Sequence, residues 1–435
     1  MPKRPLLVLL APPLLLAQQL AQQVAQQPAA IDPDGVPGAR IIAGGGTLPA
    51  AVHARFVELA GGEHAHIVLM PGASATADDA DARSKSLADW QREFPQARFA
   101  VLHTRDRATA DSDAFAEPLR TASGVWFGGG DQQRLADAYL GTGVERELQA
   151  LLARGGVVGG TSAGAAIQSR TMIADGNPVP VMSQGFDFVP HGIVDQHFVK
   201  RNRLPRLLAA LHDHPGHFGL GVDEGTAIEV RGRELRVFGD SKALLVLAAG
   251  AGRPQRVLEL VAGDHADLVS WQRAARDRAG SPWPPVPMAA PVVPHGTLVI
   301  IGGGALPDAA VDRFVAAAGG KDAKVVIVPT ALGEPLRGED PFAAVLRRKG
   351  VTDIRVVDCP RPGAVTDAAL KPLADATAIW FGGGRQWHLC DAYEGTKALA
   401  AFAGVLARGG VIGGSSAGAT IQGEFLVRGN PLGNL

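Results

Sequence analysis

The chain carries the same succession of segments twice, so whatever fold one half adopts the other must be able to adopt as well. Ile41-Ile42-Ala43-Gly44-Gly45-Gly46-Thr47-Leu48-Pro49 returns within Leu298-Val299-Ile300-Ile301-Gly302-Gly303-Gly304-Ala305-Leu306-Pro307. Arg55-Phe56-Val57 returns as Arg313-Phe314-Val315, and Ile67-Val68-Leu69-Met70-Pro71 as Val325-Val326-Ile327-Val328-Pro329. Val125-Trp126-Phe127-Gly128-Gly129-Gly130-Asp131-Gln132 returns as Ile379-Trp380-Phe381-Gly382-Gly383-Gly384-Arg385-Gln386. The stretch from Leu152 to Gln168 matches that from Leu406 to Gln422, with Ser416 in the place of Ser162. At 435 residues the chain has room for two domains, and the repeat makes them copies of one another.

The first copy is expected over 39–270 and the second over 296–435, joined by a Pro-rich, extended linker over 271–295 whose prolines cluster in 279–294. The first copy continues well past its serine, whereas the second stops soon after Ser416. A parallel sheet deprived of its last strands would present a new open edge, so a sequence fragment is favoured over a naturally shortened, inactive module.

Within each copy short Val/Ile/Leu runs alternate with helical patterns. Strands are predicted at 39–43, 66–70, 99–102, 124–127 and 156–159, and helices at 50–60, 84–93 and 143–153. Continuously apolar strands separated by helices imply an α/β fold, a parallel sheet flanked by helices on both faces. After Glu224 the pattern changes to four short strands of antiparallel character at 226–230, 234–238, 242–247 and 256–260. Ligands of parallel sheets bind at the carboxyl ends of the strands, where the turns Gly44–Gly46, Gly128–Gly130 and Gly160–Gly164 should all lie.

Gly159-Gly160-Thr161-Ser162-Ala163-Gly164-Ala165 stands between an apolar run and a helix-like stretch, with the Gly-x-Ser-x-Gly spacing of a nucleophile elbow. Such a turn strains the serine backbone and lifts its Oγ above the sheet. It also aims the N–H of Ala163, at the start of a helix, at the place where an oxyanion would form. Taken alone, the motif is equally compatible with a Gly-rich turn and a buried serine.

A serine nucleophile needs a base and an orienting acid. His197, in Val194-Asp195-Gln196-His197-Phe198, follows a turn and precedes a basic helix, while His191 lies beside Pro190 in a loop. Glu224 ends a short apolar run, near the same sheet edge. The cluster His212, His214 and His217 lacks nearby acidic or cysteine ligands, so no metal is expected. The order Ser, His, Glu differs from the Ser, acid, His order of α/β-hydrolases.

Gly160-Thr161-Ser162-Ala163-Gly164-Ala165, then Asp195-Gln196-His197-Phe198 with Arg201, Arg203, Leu204 and Arg206, then Gly221-Val222-Asp223-Glu224-Gly225-Thr226, together resemble cyanophycinase. That serine peptidase family (S51) also holds aspartyl dipeptidase, or peptidase E. The resemblance implies a flavodoxin-like parallel sheet related to class I glutamine amidotransferases, here duplicated. It implies Ser162 as nucleophile, His197 as general base and Glu224 as the orienting acid, with the N–H of Gly130 beside that of Ala163 in the oxyanion hole. The implied reaction releases β-Asp-Arg dipeptides from cyanophycin, a poly-aspartate with arginine on each side-chain carboxyl. Arg201, Arg203 and Arg206 are of the type that pairs with aspartyl carboxylates, and Gln132, Asp195 and Gln196 of the type that receives guanidinium or amide groups. Asn202 and Pro205 depart from the family's usual glycines between these arginines. An aspartyl or isoaspartyl dipeptidase and a non-catalytic peptide-binding pseudoenzyme are the competing functions.

Composition narrows the partners. A net charge of −1 gives no global field for nucleic acid or anionic membrane. The two cysteines, Cys359 and Cys390, make no disulfide framework. Lys3 and Arg4 followed by the apolar stretch 6–17 resemble a signal peptide, with a disordered Gln/Ala-rich leader up to residue 30, so a secreted or periplasmic protein is expected. No cysteine follows that apolar stretch, which argues against a lipid anchor. No cofactor is expected, and the fold is compatible with a homodimer.

Overall fold

The computed structural model describes residues 31–280, 295–423 and 426–427. The expected signal segment and leader, and the proline-rich heart of the linker, lie outside the described residues.

The first copy is built on β1 (Val36–Ala43), β2 (His66–Met70), β3 (Arg98–Val101), β4 (Gly124–Phe127) and β5 (Val157–Thr161). These run parallel in the order β1-β5-β4-β2-β3. The apolar runs of β2, β4 and β5 are buried on both faces, as strands covered by helices must be, whereas the edge strand β3 is half-buried. On one face Phe56 and Trp126 pack edge to face at 5.0 Å, with Trp90 beside them. On the other, Phe127, Phe186 and Phe188 form a second buried ring cluster. Each fully buried ring of this kind stabilises the fold by roughly 1.5–3 kcal/mol.

The hairpin β6 (Thr171–Asp175) and β7 (Val181–Gln184) follows the elbow and is not legible in the sequence. Then come β8 (Gly192–Asp195), β9 (Phe218–Val222), β10 (Thr226–Gly232), β11 (Glu234–Gly239), β12 (Lys242–Leu247), β13 (Arg256–Val261) and β14 (His265–Asp267). The four strands expected after Glu224 are present, but they divide between two sheets. β10, β11 and β14 extend the parallel sheet beyond β1 as successive antiparallel neighbours, whereas β12 and β13 join the parallel pair β8–β9. The two layers enclose Ile228, Val230, Leu235 and Val237 against Leu220, Val222 and Leu245.

The segment expected to open the linker at 271 is instead helical. Asp267 caps the helix Leu268–Ala279 by accepting from the backbone N–H groups of Val269 and Ser270. Trp271 and Ala275 on this helix fill the core between the two layers, so burial, not the neighbouring prolines, decides its state.

The second copy repeats the parallel sheet: β15 (Thr297–Ile301), β16 (Lys324–Val328), β17 (Asp353–Val356), β18 (Ala378–Phe381) and β19 (Val411–Ser415), in the order β15-β19-β18-β16-β17. The copies meet through charge. Asp391 lies between Arg233, at 3.0 Å, and Arg273, and Arg233 also holds Asp267 at 2.7 Å. Arg276 pairs with Glu394 at 2.6 Å on the rim.

Candidate active site

The parallel register sets the ends of β1, β4 and β5 level, Ala43 beside Thr161 and Phe127 beside Gly160. The turns that follow therefore converge on Ser162. Its backbone adopts φ 53° and ψ −109°, a strained conformation for a residue with a side chain. The strain is held on both sides: Ser162 N–H donates to Ala43 at 3.0 Å, and its carbonyl accepts from Ala165 and Ala166 at 3.0 Å. Gly160 must lack a side chain here, because a β-carbon would lie 2.2 Å from the Gly164 carbonyl oxygen. The elbow expected from the sequence is thus present, although its helix is a single turn, Ala163–Ala166.

His197 stands over this serine. Its Nε2 is 2.9 Å from Ser162 Oγ, and its Nδ1 is 2.7 Å from Glu224 Oε1. An Nδ1–H donated to the carboxylate leaves Nε2 as an acceptor facing the hydroxyl. The imidazole sits on a left-handed backbone, φ 47°, fastened by the His197 N–H to the Gly44 carbonyl at 2.7 Å. His191 lies elsewhere, its ring 6.1 Å from that of His217.

The glycine turn after β1 is the floor of the dyad, a role its sequence did not disclose. A β-carbon on Gly45 would lie 2.3 Å from His197 Cε1, and one on Gly46 would lie 2.9 Å from Glu224 Cβ. Asp223 was also missed as a site residue. Its Oδ1 accepts from the N–H groups of Val199 and Lys200 at 3.1 and 2.9 Å, and its Oδ2 from Ser241 Oγ at 2.7 Å.

The turn after β4 comes to the elbow from the other side. Gly129 is its nearest residue, with a position for a β-carbon 3.5 Å from Ser162 Cβ. Gly130 adopts φ 138° against the Ala73 carbonyl, and Ala163 is the first residue of the helical turn.

Most of the expected substrate contacts face inward. Asp195 is buried and takes Arg206 Nε at 2.8 Å and Nη2 at 2.5 Å. Arg203 bonds the Gln196 side chain and, at 2.7 Å, its carbonyl. Gln132 donates to the carbonyls of Ile173 and Ala174 at 2.8 and 2.6 Å, securing β6. These contacts build the wall behind His197, within which Arg203 Nε is a buried donor with no hydrogen-bond partner. Of the three arginines, Arg201 is the exposed one, beside the exposed Lys200. Its charge reaches the site: burial lowers the His197 pKa below the usual imidazole value, the Glu224 hydrogen bond opposes this, and Arg201 and then Arg203 depress it further.

Ser416 repeats the elbow, with φ 56°, ψ −115° and its N–H on Ile301 at 3.0 Å. Beside it, however, Gly302 and Gly304 face open space where Gly44 and Gly46 meet Asp223 and Glu224. Among the described residues no imidazole is hydrogen-bonded to Ser416 Oγ. Nor, among the described residues, does any group of three or more His, Cys, Asp or Glu lie close enough to hold a metal ion.

A serine on a strained elbow at the carboxyl edge of a parallel sheet, with histidine and glutamate in line behind it, defines a hydrolase-type site. The profile of peptidase family S51 matches residues 41–238 and 298–432, more than half of the chain and one segment in each copy. The chain belongs to that family and is a cyanophycinase-like serine peptidase. It is 34% identical over 201 residues to the cyanophycinase of Geminocystis herdmanii (strain PCC 6308), a match spanning 44% of this chain and 73% of that protein. To the cyanophycinase of Synechococcus elongatus it is 36% identical over 201 residues, 44% of this chain and 61% of that protein. A solved structure described as a peptidase from an acI-B1 Actinobacterium aligns over 54% of this chain and 98% of its own, at 23% identity and a TM-score of 0.44.

Proposed function

We propose that the first copy hydrolyses cyanophycin through Ser162, His197 and Glu224, releasing β-Asp-Arg dipeptides. The unbroken hydrogen-bonded line from Ser162 Oγ through both ring nitrogens of His197 to Glu224 carries this proposal. Ser162 Oγ attacks the scissile carbonyl carbon while its proton passes to His197 Nε2. The imidazolium so formed is stabilised by Glu224 and gives that proton to the leaving amine. Water then attacks the acyl-serine, losing a proton to His197, and the proton returns to Ser162 Oγ as the acid product leaves. The N–H groups of Ala163 and Gly130 are assigned to the oxyanion that forms in both steps.

The substrate class rests on the names of the relatives and on Arg201, an exposed cation near the base that suits an aspartyl carboxylate. The inward-facing Asp195, Gln196, Arg203 and Arg206 are assigned to shaping that wall. Export, proposed from Lys3, Arg4 and the apolar stretch after them, would place the reaction outside the cytoplasm.

The test is digestion of purified cyanophycin by the full chain and by Ser162→Ala, with products identified by mass spectrometry. Dipeptide is expected from the parent, and a rate lower by about six orders of magnitude from the variant. A folded parent that yields no dipeptide would remove cyanophycin as the substrate.

A further inference from the structure

Glu224 explains how the His197 ring is turned, but not how its backbone is kept in place. His197 occupies a left-handed conformation, φ 47°, at the head of an irregular turn, where the chain has no strand or helix to hold it. Besides bonds within the turn and that of the Phe198 N–H to the Val222 carbonyl, two contacts fasten it. One is the His197 N–H on the Gly44 carbonyl. The other is the buried carboxylate of Asp223, which accepts from the N–H groups of Val199 and Lys200, the second and third residues after the histidine. Ser241 Oγ, immediately before β12, donates to the other carboxylate oxygen and fixes its orientation.

We infer that Asp223 is a positioning residue for His197: of two adjacent acids, Glu224 holds the ring of the histidine and Asp223 holds the turn that follows it. The inference rests on the triad proposed above. Small displacements of a base matter in a site of this kind, because a shift of about 1 Å can lower a rate by about a hundredfold. An aspartate that merely capped a loop would affect stability without affecting the reactivity of Ser162.

The experiment measures the rate at which a fluorophosphonate probe labels the full chain, with the labelled residue mapped by mass spectrometry. In this reaction Ser162 Oγ bonds to phosphorus, fluoride leaves, and the serine proton passes to His197, so no peptide substrate is needed. Wild type should be labelled at Ser162, and Ser162→Ala should not be labelled in the turn that carries residue 162. Asp223→Ala should be labelled about tenfold to a hundredfold more slowly. Its low-field proton resonance from His197 Nδ1–H should broaden. Asp223→Asn, which keeps a carbonyl acceptor for the two N–H groups, should recover most of the rate. Should Asp223→Ala fail to fold, Ser241→Ala, which only frees the carboxylate to rotate, should still slow labelling several-fold. Labelling of folded Asp223→Ala, or of Ser241→Ala in its stead, at the wild-type rate would overturn the inference. A folded wild type that reacts at no serine would count against the triad itself, and the role of Asp223 would fall with it.

Discussion

Gly45 and His197 are in such close contact that a β-carbon on the glycine would lie 2.3 Å from Cε1 of the imidazole and 2.6 Å from Nε2. The glycine also has φ 102°, which a side chain disfavours. Gly45→Ala should therefore displace the ring that faces Ser162 and lower kcat by about a hundredfold or more. KM should change much less, since the substrate-facing surface is untouched. Steady-state kinetics on the variant check this, and wild-type kcat would show that the ring has room that the structure denies it.

The pH profile follows from the surroundings of His197. Burial lowers its pKa below 6.5, and the Arg201 and Arg203 charges act in the same direction against the Glu224 hydrogen bond. A general base works in its neutral form, and a depressed pKa keeps His197 neutral to lower pH. The acid limb of kcat/KM should therefore lie below pH 6.5. Arg201→Ala removes a cation that disfavours the imidazolium, so its acid limb should move to higher pH. Measurement of kcat/KM across this range in both proteins is decisive, and a shift to lower pH would contradict the assignment.

The elbow was legible because its constraints are local: Gly160, Ser162 and Gly164 are close in sequence and the turn is made by them alone. The parallel strands were legible because burial on both faces leaves continuous apolar runs such as Ile67–Met70. The division of the later strands between two sheets was not, since a short apolar run is equally at home in either. Nor could spacing separate Arg201, which faces solvent, from Arg206 five residues later, which faces Asp195. Both belong to one basic run, and only the tertiary burial of Asp195 turns Arg206 inward. The helix Leu268–Ala279 was obscured by the prolines that follow it, although Trp271 and Ala275 already carried its buried face.

The Asp195–Arg206 pair yields a stability test of its inward orientation. Neither side chain is more than 3% exposed. Asp195→Ala would strand a buried guanidinium, which costs about 3–5 kcal/mol. A residue that only contacted substrate would instead raise KM and leave the unfolding midpoint where it was. Urea denaturation of the variant followed by circular dichroism separates the two, and an unchanged midpoint would return Asp195 to the substrate side.

The contact between the copies depends on depth as well as on charge. Asp391 is 7% exposed and serves both Arg233 and Arg273, whereas Glu394, paired with Arg276, is 46% exposed. Arg233 keeps Asp267, but removing the buried carboxylate takes from Arg273 its closest partner, and Asp391→Ala should destabilise the contact by about 3 kcal/mol. Glu394→Ala, whose pair is screened by water, should cost about 1 kcal/mol or less. Calorimetry of the full chain should show the second copy melting separately and earlier in Asp391→Ala, with a single wild-type-like transition in Glu394→Ala. Equal effects from the two substitutions would mean that Asp391 is not what couples the copies.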